Sequence, residues 1–177
     1  MSDQNYFELY NLPEQFNQDE KAVKKKFYEL SKKFHPDFYV NESDEKQQEI
    51  LELSTLNNKA YQTLSDPLKR IEYILSLHGM LAEGDKYVLP QDFLMEMMDV
   101  NEALMDLQME PDQSRLLQVQ EDVNQIEASL FDELKKQTDL FDSAENERDE
   151  LLREIRDIWY REKYLMRIKE SLNKFRF

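Results

Sequence analysis

Apolar residues recur along this chain at the three- and four-residue spacings of amphipathic helices. Tyr6 to Tyr10 forms a short aromatic-rich segment, closed by Asn11, which tolerates the left-handed backbone of a helix end, and by Leu12-Pro13. Asp19 is a good N-cap for a second helix, in which Val23, Phe27, Leu30 and Phe34 recur at spacings of four, three and four, and which Pro36 ends at His35. A connecting loop from Asp37 to Asn41 leads to a third helix from near Ser43 to Leu64. Its apolar side carries Ile50, Leu53, Ala60, Tyr61 and Leu64, with Asn57 as the polar exception. A fourth helix starts with Asp66 as N-cap and Pro67 at its first position and stops at Gly79.

Between Met80 and Pro90 the pattern lapses, with Gly79, Gly84 and Pro90 as breakers. Three further helices are expected: Pro90 or Gln91 to Met109, Asp112 to about Gln137, and about Ser143 to Lys174. Pro111 and the polar stretch near Thr138 to Ser143 separate them. The reading is therefore all-α, with a helical domain over 1–80, a linker over 81–89 and a three-helix bundle over 90–177. In the last helix Leu151, Leu152, Ile155, Ile158, Trp159, Leu165, Ile168 and Leu172 make a stripe wider than a coiled-coil seam, as bundle packing requires.

Composition supports this and excludes other classes. Two glycines and five prolines in 177 residues leave little for the turns of a sheet protein. The absence of cysteine excludes disulfides, thiolate metal sites and a Cys nucleophile. No run is long and apolar enough for a membrane span, and the polar start, Met1 to Asn5, lacks a signal-sequence pattern, so a soluble, non-secreted protein is expected. With 38 acidic against 23 basic residues the net charge of −15 repels nucleic acid, which leaves proteins as the expected partners.

Against that acidic background the second helix is basic. Lys21, Lys24, Lys25, Lys26, Lys32 and Lys33 face Asp19, Glu20 and Glu29, six cations against three anions. At about 100° per residue, Lys21, Lys25 and Lys32 lie opposite the apolar stripe. A solvated face is one reading of them; the local reversal of sign favours an acidic protein partner. His35-Pro36-Asp37 follows directly, a tripeptide expected by chance in such a chain on the order of 1% of the time. A histidine and a carboxylate around a proline are possible acid–base groups. However, no nucleophile motif, phosphate loop or metal-ligand cluster accompanies them, and the other histidine, His78, reads as a polar residue placed at a helix C-terminus.

A basic helix, then His-Pro-Asp in a loop, then a third helix is the order of a J-domain. The segments YFELYNLPEQF, LSKKFHPDFYV, STLNNKAYQTLSDPLKRIEYILSLHG and FLMEMMDVNEAL resemble the HscB family, the J-proteins of iron–sulfur cluster assembly, over residues 5 to 107; DPLKRIEYIL is particularly specific. The resemblance implies that His35, Pro36 and Asp37, with Lys21, Lys25 and Lys32, contact an ATPase chaperone of the DnaK class, one resembling HscA, and stimulate its ATP hydrolysis. It implies no cofactor and no metal in this chain. Phe38 stands where family members often carry a basic residue, and the cysteine-rich zinc segment of some eukaryotic members is absent, so a bacterial-type, cytoplasmic protein is expected.

The helix after Pro90 carries two apolar stripes. Phe93, Met97, Val100, Leu104 and Leu107 make the core face, and Leu94, Met98 and Met105 a second stripe about 100° away, bordered by Met95, Asp99, Glu102 and Asp106. Both are core if the helix lies between two neighbours; alternatively the second is a partner surface, with adaptable methionines inside an acidic rim. In the HscB family the scaffold protein IscU docks on matching positions. The resemblance thereby implies a scaffold-binding role for Leu94, Met95, Met98, Asp99, Glu102 and Asp106, with Tyr160 on the last helix; Asp99 and Asp106 are shorter than the usual Glu. Two further readings are a J-domain adaptor presenting a different client, and a small acid–base enzyme using His35 and Asp37.

Overall fold

The computed structural model describes residues 5–82 and 86–175. Met1 to Gln4 of the polar start and Gly84 of the expected linker lie outside the described residues. Seven α-helices occur among the described residues, and no strand: α1 (Tyr6–Tyr10), α2 (Glu20–Lys33), α3 (Asp44–Leu64), α4 (Pro67–Leu77), α5 (Gln91–Met109), α6 (Gln113–Ser143) and α7 (Arg148–Leu172). The chain divides into two units, Met1–His78 and Gly79–Phe177. The expected linker thus starts inside the second unit, to which Ala82 and Tyr87 are bonded through α7.

In the first unit the expected caps form. Asn11 takes the left-handed conformation (φ 50°) after α1, and the carboxylates of Asp19 and Asp66 accept backbone N–H groups at the starts of α2 and α4. Val23 of α2 and Phe34 just after it pack with Ile50, Ala60 and Leu64 of α3 in a core completed by Phe7, Tyr10, Ile71, Ile74 and Leu75. Phe27 stacks on Tyr61 with centroids 4.2 Å apart, and Tyr6 on Tyr73 at 4.6 Å. Asn57, the polar residue on the apolar face of α3, is fully engaged there. Its Oδ1 accepts the Tyr10 hydroxyl at 2.8 Å, and its Nδ2 lies 3.1 Å from both the Phe27 carbonyl and the Ser31 hydroxyl of α2. Buried Arg70 of α4 donates to the carbonyls of Phe16 and Leu64. His78 caps α4 and meets the Glu14 carboxylate at 2.5 Å.

In the second unit α6 and α7 pack against each other and α5 lies on the pair. The break between the long helices falls later than the polar stretch Thr138 to Ser143 suggested. α6 runs through that stretch because Thr138 and Phe141 continue the buried stripe of Leu130 and Leu134, and the Thr138 hydroxyl donates to the Lys135 carbonyl within the helix. The reversal occurs instead at Ala144 to Glu147, where Glu147 takes φ 60° and the Arg148 guanidinium lies 4.7 Å from the Phe141 ring centroid. α7 therefore starts at Arg148 rather than near Ser143.

The inward stripe of α7 includes one acid. Glu162 is 2% exposed between Leu165, Ile158 and their neighbours. Burial, followed by the nearby Glu127 carboxylate, pushes its pKa up from 4.5 to about 7, while Lys169, which bonds Glu127 at 2.6 Å, opposes that shift. Its pKa is higher in the folded than in the unfolded chain. Between about pH 4.5 and 7 the folded chain therefore holds a proton that the unfolded chain has released, and stability falls as pH rises through that window. Glu162→Gln is expected to melt higher than the parent at pH 8 and within a degree or two of it near pH 5, measured by thermal denaturation at both pH values.

Candidate functional site

His35, Pro36 and Asp37 sit at the reversal between α2 and α3. The expected loop is a 3-10 turn, Pro36–Tyr39, with Pro36 at its first position and His35 in the extended backbone that a following proline imposes (φ −74°, ψ 124°). The His35 imidazole caps this turn, its Nδ1 accepting the Asp37 N–H at 3.3 Å. That bond assigns the ring proton to Nε2, as an outward donor. The Asp37 carboxylate lies 3.7 Å from Nδ1, too far for a hydrogen bond. The turn is braced from both sides: the Tyr39 hydroxyl donates to the Lys33 carbonyl at 2.7 Å, and the Gln47 side chain of α3 to the carbonyls of Val40 and Glu42. A stiff, solvent-facing corner results, with one donor and one carboxylate on it.

The lysines of α2 extend this corner. Lys21, Lys25 and Lys32 are all exposed and form no ion pair among the described residues, whereas Lys26 is paired with Glu29. Phe38 is exposed and lies 5.7 Å from the His35 ring, centroid to centroid. It gives the corner an apolar neighbour.

On α5 the two stripes have opposite fates. Phe93, Met97, Val100, Leu104 and Leu107 are buried, Met97 completely, while Leu94 is 36%, Met98 68% and Met105 64% exposed. Met109, at 85%, extends the exposed stripe to about 22 Å along the helix, at 1.5 Å per residue. Met95, Asp99 and Glu102 are exposed beside it. Asp106 is drawn out of this open rim by Arg115 of α6, at 2.6 Å. On the opposite flank of the stripe, Asn101 donates to the Tyr164 hydroxyl of α7 at 3.0 Å. Tyr160, one turn before Tyr164, is half-buried under the ring of Tyr87. Tyr87 and Asn101 carry no motif or spacing that marks them in the sequence; their signal was only an aromatic residue and an amide close to an apolar helix.

No group of three or more metal-ligating side chains occurs among the described residues, and no helix there is long and apolar enough to cross a membrane. Residues 5–73 match the DnaJ domain family, and residues 89–173 match the family described as the HSCB C-terminal oligomerisation domain. The co-chaperone protein HscB homolog of Aliivibrio salmonicida is 37% identical over 135 residues, 75% of this chain and 79% of the relative. The chain belongs to the HscB family.

Further HscB relatives agree. Co-chaperone protein HscB of Buchnera aphidicola subsp. Acyrthosiphon pisum is 41% identical over 104 residues, a match that spans 58% of this chain and 60% of the relative. Among solved structures, human co-chaperone protein HscB superposes with a TM-score of 0.75 at 26% identity, covering 98% of this chain and 82% of that one. Chaperone HscB from Vibrio cholerae gives 0.67 at 30% identity, covering 95% and 99%. The first unit is thus a J-domain and the second an HscB-type C-terminal helical domain. Because the second stripe of α5 faces water, Leu94→Ala with Met98→Ala is expected to shift the melting temperature by less than about 3 °C. Met97→Ala, one residue from Met98 but in the core, is expected to cost about 2–5 kcal/mol; urea denaturation of the two variants checks the contrast.

Proposed function

We propose that this chain is a co-chaperone without catalytic chemistry of its own, acting in the bacterial cytoplasm. Its J-domain stimulates the ATPase of a DnaK/HscA-type chaperone, and its second unit delivers the iron–sulfur scaffold protein IscU to that chaperone. The observation that carries this reading is the braced, solvent-facing turn of His35, Pro36 and Asp37 at the end of a basic helix. A stiff corner presents the His35 Nε2–H and the Asp37 carboxylate with little ordering entropy left to lose on binding. Lys21, Lys25 and Lys32 steer an acidic ATPase surface toward it. His35 and Asp37 lie open to solvent, which supports a contact role over acid–base chemistry in an enclosed site.

The scaffold docks on the exposed stripe of α5. Leu94 and Met98 supply its apolar centre, and Met95, Asp99 and Glu102 the surrounding contacts, with Tyr160 at its flank; Asp106 joins them only by exchanging its ion pair with Arg115 for one with the scaffold. Methionine side chains adapt to an apolar partner surface, and the carboxylates favour one with basic neighbours.

Two measurements test this reading. His35→Gln is expected to fold as the parent does, yet to lose at least about tenfold of the chaperone's single-turnover ATPase stimulation, because the outward donor and the turn cap change together; undiminished stimulation overturns the proposal. Leu94→Ala with Met98→Ala is expected to weaken scaffold binding by about 10- to 100-fold, the range for truncating central apolar contacts, in isothermal titration calorimetry. Unchanged affinity would reassign the stripe to another client.

A further inference from the structure

The first two turns of α5 present Leu94, Met95 and Met98, yet the helix starts without the device that starts its neighbour. α6 is capped by the Asp112 carboxylate, which accepts the N–H groups of Ser114 and Arg115, whereas α5 begins on Pro90 with no side-chain cap. The chain just ahead of it is held another way. Tyr87 lies flat on Tyr160 of α7, centroids 4.2 Å apart and planes 7° from parallel. Its hydroxyl donates to Asp157 Oδ1 at 2.8 Å, and the Arg156 guanidinium sits 5.2 Å from its ring centroid. Two of these partners are themselves fixed: Asp157 by Arg161 at 2.7 Å, and Tyr160 through its hydroxyl, which accepts the Ala82 N–H at 3.0 Å. Burial, then the bond to Asp157, pushes the Tyr87 hydroxyl up to about 12, so it remains a donor throughout the physiological range.

One turn further along the same face of α7, Tyr164 meets α5 itself. It makes an edge contact with Phe93 at 5.9 Å and accepts the Asn101 amide. Tyr160 and Tyr164, four residues apart, therefore hold the entry to α5 and its first three turns in sequence. We propose that Tyr87 is a positioning residue for the partner face of α5: by gripping Tyr160 and Asp157 it sets the rotation of the turns that carry Leu94 and Met98. Tyr160 serves that face as the seat of Tyr87, since one side of its ring and its hydroxyl are already occupied. The inference rests on the reading that this face docks the scaffold protein.

The test is calorimetric titration of the full chain with IscU as the probe, combined with a double-mutant cycle. Tyr87→Ala is expected to weaken binding about tenfold while leaving ATPase stimulation in the absence of scaffold unchanged. Tyr87→Phe, which keeps the stack and the guanidinium contact, should remain within about threefold of the parent. In a Leu94→Ala, Met98→Ala background Tyr87→Ala should cost less than about twofold, because both side chains it positions are gone. If Tyr87→Ala lowers the melting temperature substantially, Tyr87→Leu, which restores apolar volume without stack or hydroxyl, carries the same expectation. Parent-like affinity of Tyr87→Ala, or of Tyr87→Leu where that variant replaces it, overturns the proposal, as does an undiminished tenfold cost in the Leu94→Ala, Met98→Ala background, which would make Tyr87 an independent contact. If Leu94→Ala binds the scaffold as the parent does, the docking reading itself fails, and this inference with it.

Discussion

Three helices of the first unit meet on one side-chain amide, that of Asn57. It takes a hydroxyl from α1 and gives its two N–H groups to a backbone carbonyl and a hydroxyl of α2, all within an apolar core. Each such bond contributes only about 0.5–1.5 kcal/mol net, but leaving one of these buried atoms unpaired costs about 1–3 kcal/mol. The amide thus acts mainly against wrong registers. Sliding α2 past α3 by one residue carries the Phe27 carbonyl and the Ser31 hydroxyl, which are bonded to each other within α2, away from Asn57 together. Register thereby decides where the lysines of α2 and the His35 turn that follows them stand relative to α3.

The turn then adds local constraints of its own. Pro36 holds its backbone angle, His35 caps it, and Tyr39 and Gln47 tie it to the helices on either side. A motif of three residues would be a weak recognition element on a floppy loop, since ordering it on binding would consume much of the interaction energy. Here the ordering is completed on folding. The net charge of −15 has a related effect: it leaves the lysines of α2 as a local basic feature on an acidic molecule, which favours one orientation of approach over others.

In the second unit rotation about a helix axis separates structure from surface. Met97 and Met98 are adjacent in sequence, one wholly buried and the other 68% exposed, because a step of about 100° carries the chain from the α6–α7 side to water. The same rotation makes the entry to α5 consequential. A small error in its phase turns Leu94 and Met98 toward α7 or away from the intended surface, and the Tyr87–Tyr160 stack is where that phase is held.

The sequence by itself determined the helix inventory of the first unit nearly to the residue, because caps and breakers are local chemistry: Asn11, Asp19, Pro36, Asp66 and Pro67 act on their own neighbours. It also determined the two stripes of α5, since angular spacing along a helix is intrinsic, and the motifs that place the chain in its family. Tertiary structure alone decided which of those stripes meets a neighbour, because periodicity shows that a face is apolar and not what lies against it. It alone placed the α6–α7 break beyond the polar stretch at Thr138, where packing by Phe141 outweighed local propensity. It drew Asp106 to Arg115 and brought Tyr87 onto Tyr160, contacts between positions 9 and 73 residues apart that no local pattern encodes.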